Sequence, residues 1–180
     1  MIYTSDLIEK EALLEVARLM AAAARTAPKA KGVDNILTMI VDGDDKDAVA
    51  AEMRRIAESD APDPVFMRDA GSVDASDFVV LIAVKDNHAT IPYCGICGFE
   101  NCAAAIEAGA ACAFNTSDLG TAACSACAVA SHHWIDNRLM YTVGRAAQDL
   151  GLFGTKVRMC YGIPISARGK SIYYDRKQNG

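Results

Sequence analysis

Phe78-Val79-Val80-Leu81-Ile82-Ala83-Val84 is an unbroken apolar run, and the fold prediction starts from it. A strand that alternates polar and apolar residues has one wet face, whereas a continuously apolar strand is covered on both faces. We therefore predict a central buried strand over residues 78–84. A second β-like run, residues 36–41, ends at Asp42-Gly43.

Helical patterns surround these strands. Apolar residues at helical spacing predict a first helix that ends near Pro28, with Asp6 as its cap and Glu9 as the capping-box partner. A second amphipathic helix is predicted at 47–58. Two further helices are predicted within 118–150, where they meet near 135–137, and late strands are predicted at 159–165 and 171–174. Helices and strands alternate only loosely. We therefore expect a layered α+β fold, formed by one domain over 1–180.

A cysteine-rich segment follows the apolar run, and we expect it to be an inserted module over residues 92–115. It reads Tyr93-Cys-Gly-Ile-Cys-Gly-Phe-Glu-Asn-Cys102, and Cys112 comes after nine further residues. Iron–sulfur clusters are held by cysteine thiolates, usually four. The predicted ligands are Cys94, Cys97, Cys102 and Cys112.

The residues between the ligands fit this interpretation. Gly95 and Gly98 give the loop access to positive φ, and their amides are candidates for hydrogen bonds to cluster sulfurs. After Cys102 a short helix ended by Gly109 would bring Cys112 back toward the loop.

The main alternative is a zinc site. Structural zinc sites often use two paired C-x-x-C knuckles, and Cys94-x-x-Cys97 has a possible partner in Cys124-x-x-Cys127. The second pair lies in a run of small residues that reads as a closely packed helix, where positions i and i+3 share a face. Packing is therefore the favoured role for Cys124 and Cys127, with ligation as the alternative. Cys160, in an apolar run, is expected to fill core space.

Composition narrows the function classes. The chain has 180 residues, 52% of them hydrophobic, with a net charge of −5 and a pI near 5.1, which argues against nucleic-acid binding. No secretory signal or membrane-spanning segment is expected. An odd number of cysteines, seven, predicts a reducing cytoplasm and metal or redox chemistry rather than disulfides.

The cysteine segment resembles the four-iron–four-sulfur module written C-G-x-C-G-x-x-x-C in several anaerobic redox proteins. More of the chain resembles one family, the bacterial and archaeal ferredoxin-domain proteins of unknown function. The segments that carry this resemblance are Cys112-Ala-Phe-Asn115, Asp118-Leu-Gly-Thr-Ala122, Asp136-Asn-Arg-Leu-Met-Tyr-Thr-Val-Gly144 and Gly162-Ile-Pro-Ile-Ser-Ala-Arg-Gly-Lys170. The resemblance implies one 4Fe-4S cluster with Cys112 as the fourth ligand.

A second resemblance is to the flavin-dependent nitroreductases. It rests on Ala24-Arg-Thr-Ala-Pro28 with a later Asn35, on Arg145–Leu152, and on Gly162-Ile-Pro164. It implies a nitroreductase-like, mainly antiparallel central sheet, a dimer, and a bound FMN near Arg25 and Asn35. The arginine-serine-arginine start that grips the flavin phosphate in that family is missing. Arg168 and Lys170, on either side of Gly169, are candidates for phosphate binding or for a charged turn.

The functional prediction is an iron–sulfur redox protein, either an electron carrier or an oxidoreductase subunit, that acts on a redox partner protein or a small-molecule substrate. The alternative is a zinc-stabilised structural or interaction protein. A homodimer is expected, with 118–152 at the interface, because small residues there allow close helix approach and Trp134 is an interface residue type. His132 and His133 are expected at the surface or interface, and His88 in a loop.

Overall fold

The computed structural model describes residues 1–59 and 62–174, and a four-stranded sheet lies at its centre. The strand order is β1-β2-β4-β3, and each neighbouring pair is antiparallel. The predicted mainly antiparallel sheet is confirmed. The strands are β1 (Ile36–Val41), β2 (Phe78–Lys85), β3 (Asp136–Asn137) and β4 (Val157–Ser166).

Helices cover both faces of the sheet. α1 and α5 pack on one face, and α2, α3 and α6 pack on the other. The layered α+β prediction is thereby confirmed. The helices are α1 (Ser5–Thr26), α2 (Gly43–Ala57), α3 (Pro64–Asp74), α4 (Cys102–Glu107), α5 (Ala113–His132) and α6 (Tyr141–Asp149), with a 3-10 turn at Ala30–Gly32. Within the described ranges, no helix combines the length and the apolar character needed to cross a bilayer.

β2 is the strand that both helical layers share. Its even-numbered side chains, from Phe78 to Val84, pack against α1 and α5, whereas Val79, Leu81 and Ala83 pack against the opposite layer. All seven are at most 2% exposed. Burial of one such side chain is worth about 1.5–3 kcal/mol, so a polar substitution at any of the seven would destabilise the layer that its side chain contacts.

The close approach of α6 to β4 depends on two glycines. A Cβ at Gly144 would lie 1.8 Å from the backbone oxygen of Cys160, and one at Gly162 would lie 2.2 Å from Cγ1 of Val143. Neither residue has a positive φ, so space rather than backbone conformation requires glycine here. The pair sets the spacing of the α6 layer on the sheet.

The sequence-based boundaries were wrong in several places. The predicted Asp6–Glu9 capping box is absent from α1, because the helix already begins at Ser5, after Thr4. α2 starts four residues earlier than predicted, since Asp42 takes the extended N-cap conformation. α3 was missed, although Asp63 caps it by accepting a 2.9 Å hydrogen bond from the Val65 amide and Pro64 follows in its first turn.

The strand predicted at 171–174 is also wrong. Both edges of β4 are already taken by β2 and β3. Tyr173 instead inserts into the core, where it is 4% exposed and its hydroxyl lies 2.9 Å from that of Ser76. Burial raises the pKa of this phenol.

We expect Gly144→Ala to lower the free energy of unfolding by at least about 2 kcal/mol, because its methyl group would collide with β4 backbone that has no space to move. Gly71→Ala is the matched control. Gly71 is also helical, on the exposed side of α3 with no atom near its would-be Cβ, so the change should stabilise by about 0.5–1 kcal/mol. Urea unfolding measures both, and equal effects would contradict the close-approach argument.

Candidate metal centre

Four cysteines line one small cavity beside the end of β2. Cys94 and Cys97 come from the loop between β2 and α4, Cys102 is the first residue of α4, and Cys112 is the N-cap of α5. Cys112 is 7% exposed and the other three are half-buried. The free space between the side chains is about 10 Å³. A cluster of eight atoms would therefore enter by outward movement of the exposed loop.

The loop has several residues in the left-handed backbone region. The values of φ are 59° at Gly95 and 86° at Gly98, as the sequence predicts, and also 56° at Tyr93 and 49° at Thr90. The amide of Gly98 donates to the Gly95 carbonyl at 3.0 Å. This bond closes a tight turn, so the predicted hydrogen bond from the Gly98 amide to a cluster sulfur is not available in this conformation.

The predicted short helix returns the chain to Cys112. Asn101 caps α4 by accepting a 3.0 Å hydrogen bond from the Ala104 amide. Gly109 ends the helical segment at φ 64°, and the Ala110 amide bonds back to the Ala105 carbonyl at 2.9 Å. The turn that follows brings the chain to the start of α5.

The N-terminus of α5 faces the cavity. Its first residues, Ala113 and Phe114, line the cavity, and the Cys112 side chain makes no capping hydrogen bond. The first amides of a helix have no intrahelical acceptor, and the helix dipole places partial positive charge there. Negative charge at the four sulfurs would therefore be stabilised by α5.

Three asparagines fix the cysteine loop to the body of the protein. Asn115, in the first turn of α5, donates to the carbonyls of Lys85 at 3.1 Å and of Asn87 at 2.5 Å. The Asn35 side-chain amide donates to Oδ1 of Asn115 at 3.2 Å, and Oδ1 of Asn35 accepts from the Asn87 side chain at 3.3 Å. No sequence pattern indicates a site role for Asn87 or Asn115. Asn115 is 28 positions from Asn87 and 80 positions from Asn35, and contacts at such separations leave no local signal.

An ion-pair group supports the other side of the loop. Asp86 lies 2.6 Å from Lys156 and 3.0 Å from Arg158, and Arg158 also donates to the Gly109 carbonyl at 2.6 Å. The hydrogen bond from Lys156 and the charge of Arg158 lower the pKa of the Asp86 carboxyl. These contacts join the end of β2, the start of β4 and the segment that leads to Cys112.

His88 borders three cavities. These are the cysteine cavity, a cavity of about 280 Å³ beside Asp86, and one of about 270 Å³ lined by Lys31 and the three asparagines. Its Nε2 atom is buried and has no hydrogen-bond partner among the described residues. Lys31 donates to the Ala89 carbonyl at 3.1 Å, across the mouth of the third cavity.

The remaining cysteines are separate from this centre. Cys124 lies twelve positions beyond Cys112 along α5, which corresponds to about 18 Å of helix, and neither Cys124 nor Cys127 lines the cysteine cavity. Burial raises the pKa of Cys127 to about 11 and that of Cys160 to about 12, so both remain thiols at neutral pH. Burial of Cys160, 2% exposed, is as expected.

The residues predicted to bind flavin or phosphate do not meet within one chain. Asn35 lies near the start of α5, and the guanidinium of Arg25 pairs with Asp34 and donates to the Ile36 carbonyl at 2.5 Å. Arg168 lines an open groove of about 520 Å³ with Trp134, at the far end of α5, and Lys170 follows in the same exposed segment. The two ends of this helix are about 25–30 Å apart.

The overall fold matches solved flavoproteins. A nitroreductase with bound FMN from Desulfitobacterium hafniense superposes with a TM-score of 0.60 at 11% identity, over 94% of this chain and 81% of that one. The FMN-dependent nitroreductase NfnB from Mycobacterium smegmatis, in complex with NADPH, gives 0.57 at 12% identity, over 85% and 77%. At such low identity the match shows the fold alone, which is nitroreductase-like.

Sequence comparison gives a nearer relative. An uncharacterized protein of Archaeoglobus fulgidus is 42% identical over 176 residues, which cover 93% of this chain and 94% of the relative. Residues 108–176 match the model of a family described as uncharacterized proteins containing a ferredoxin domain (DUF2148). The matched part begins just before Cys112 and includes α5, α6 and β4. With its cysteine cavity on a nitroreductase-like fold, the chain belongs to this ferredoxin-domain family.

Proposed function

We propose that this protein is an iron–sulfur redox protein that binds one 4Fe-4S cluster through Cys94, Cys97, Cys102 and Cys112. The observation that carries the proposal is that these four side chains, from three different elements, line one cavity. Four thiolates are the usual ligand set of such a cluster, which supplies reversible one-electron transfer when bound.

The surroundings of the four thiols suit an anionic group. The positive end of α5 faces the cavity, and among the described residues that line it there is no Asp or Glu. The amides of the first turn of α5 are available to donate toward the sulfurs. These features would stabilise the negative charge of a bound cluster and the charge that is added on its reduction.

The zinc alternative is less well supported by the geometry. A mononuclear site needs four ligands about 2.0–2.3 Å from one point, and in the part of the chain that the structure describes no three His, Cys, Asp or Glu side chains are arranged in this way. Pairing Cys94 and Cys97 with Cys124 and Cys127 would also require movement over about 18 Å, the length of helix between Cys112 and Cys124. A 4Fe-4S cluster instead takes its four thiolates on four separate iron atoms, so the four sulfurs need not converge on one point.

The position of the centre suits exchange of electrons with a partner protein in a reducing cytoplasm. Three of the four thiols are half-buried, and the loop that carries them presents Tyr93, 106% exposed, and Ile96, 66% exposed. Exposed apolar residues beside a redox group are suitable for a transient contact with a donor or acceptor. The alternative is that a small-molecule substrate enters one of the cavities bordered by His88. In that case the protein would be an oxidoreductase subunit and not an electron carrier.

The proposal also includes a possible second redox cofactor, FMN. Arg25 and Asn35 lie at one end of α5 and Arg168 and Lys170 toward the other, so a flavin that used all four would require two chains. Absorbance and fluorescence of the supernatant after heat denaturation of the purified protein test for a released flavin.

We also propose that the protein is a homodimer. The exposed residues of α5 before its last turn are small, and they are spaced by four, three and four positions as in a helix contact: Ser117, Thr121, Cys124 and Ala128. Trp134, just beyond the end of α5, is 91% exposed and held at φ 55°. A second copy packed on this face would bury both features.

We expect that serine at any of the four cavity cysteines will remove most of the iron and acid-labile sulfide from anaerobically reconstituted protein, because each is a ligand. Cys124→Ser and Cys160→Ser are the controls and should keep both. Retention of full iron and sulfide by Cys112→Ser would show that the fourth ligand is wrongly assigned. Loss of iron and sulfide on Cys124→Ser would mean that Cys124 is itself a cluster ligand, whereas bound zinc without acid-labile sulfide in the unaltered protein would favour the zinc alternative.

Cluster loading should slow amide hydrogen exchange in residues 92–101, because metal binding contributes part of the folding energy of its own loop. Mass spectrometry of loaded and metal-free protein, both with thiols reduced, measures this. β2, buried on both faces, is the internal control and should exchange equally slowly in both samples. Equal protection of 92–101 in the two samples would mean that the loop is fully formed without the metal.

Trp134→Ala should weaken the dimer tenfold or more, since a buried interface tryptophan typically contributes about 2 kcal/mol. Arg54 pairs with Asp74 in the helical layer on the other face of the sheet from α5. Its substitution should leave association unchanged. Light scattering across a micromolar concentration series gives the mass and the dissociation constant. A stable monomer mass for the unaltered protein would remove the dimer proposal.

A further inference from the structure

We propose that His88 donates a hydrogen bond from Nε2–H to a sulfur of the cluster and thereby raises its reduction potential. The inference rests on the proposed function. It concerns a residue that is not a ligand and that no sequence motif includes. Three observations support it: an unpartnered buried atom, the direction in which that atom faces, and the way the residue is held.

The first observation is the unsatisfied nitrogen. Nε2 of His88 is buried and has no hydrogen-bond partner among the described residues. A buried polar group without a partner costs about 1–3 kcal/mol, so native proteins rarely keep one. The nitrogen therefore indicates that the functional protein supplies a partner at this position.

The second observation is where the nitrogen faces. His88 borders three cavities, and those of about 280 and 270 Å³ are large enough to admit water. An atom that faced either of them would be accessible to solvent, yet Nε2 is not. The third cavity, with about 10 Å³ of free space, is the one lined by the four cysteines. Of the three cavities, the cysteine cavity is therefore the one that is compatible with the burial of Nε2.

The third observation is the support of the residue. The His88 amide donates to the Asn87 side-chain oxygen at 2.9 Å. The Asn87 carbonyl in turn accepts from Asn115, three residues after the ligand Cys112. His88 is thus connected to the helix that carries a ligand, through groups whose hydrogen bonds are already made. Its position relative to Cys112 does not depend on the flexible part of the loop.

The chemistry of the cavity identifies the acceptor. Apart from His88 and Asn101, the side chains that line it are apolar or thiol, and the Asn101 side chain is occupied in capping α4. The anionic sulfurs are the strong acceptors that the proposed site would contain. Hydrogen bonds to sulfur are one of the means by which a protein sets cluster potential. A donor stabilises the more negative, reduced form more than the oxidised form.

The experiment compares three variants of the full-length protein after anaerobic reconstitution. His88→Leu removes the donor and keeps the bulk, His88→Gln restores an N–H donor on a side chain of similar reach, and His133→Leu changes an exposed histidine as control. The measurements are iron and sulfide content, the midpoint potential from a redox titration, and the electron paramagnetic resonance spectrum of the reduced protein.

We expect His88→Leu to keep its iron and sulfide but to be reduced less readily, with an equilibrium constant about tenfold lower, or 59 mV for a one-electron couple. His88→Gln should recover part of the shift, and His133→Leu should match the unaltered protein. An unchanged potential in His88→Leu, with the cluster present, would overturn the inference. Loss of the cluster in His88→Leu would also overturn it, since His88 would then be a ligand. If the unaltered protein takes up no cluster, the proposed function itself fails.

Discussion

The burial of β2 on both faces is the constraint on which the other parts of the molecule depend. The side chains of seven consecutive apolar residues point alternately into two helical layers. The strand is therefore covered by α1 and α5 on one face and by α2, α3 and α6 on the opposite face. Hydrogen bonds to β1 and β4 complete its backbone. A strand held in this way ends in a fixed place, and the cysteine loop begins there.

The candidate centre uses this fixed point and one other. The loop leaves the end of β2 and returns to the sheet layers at Cys112, where α5 starts. Hydrogen bonds among Asn35, Asn87 and Asn115 join the two ends, and the Asp86–Arg158 pair connects the loop base to β4. Between these anchors the chain has little regular secondary structure, and several of its residues have positive φ. This arrangement positions Cys112 and His88 more firmly than Cys94 and Cys97.

The nitroreductase-like fold and the ferredoxin-domain family membership bear on different questions. The fold match, at 11–12% identity in the two flavoproteins described, concerns the arrangement of the sheet and its helices. The cysteine loop supplies what that arrangement lacks, a set of soft anionic ligands beside a helix N-terminus. In our proposal, redox chemistry therefore takes place at the loop, and the layered scaffold acts as its support.

Local sequence determined the elements whose signals are local. The apolar run of β2 predicts a strand covered on both faces, Gly109 predicts the end of α4, and four closely spaced cysteines predict one centre. Boundaries that depend on competing caps were wrong, as at Ser5 and Gly43, and the segment 171–174 is no strand because both edges of β4 were taken. Contacts between distant positions had no sequence signal. The separation of Cys124 from Cys112 by several turns follows from their positions along α5. Only the tertiary structure placed Asn87 against Asn115 and brought His88 beside the cysteine cavity, because packing of α5 against the sheet, and not spacing along the chain, sets those contacts.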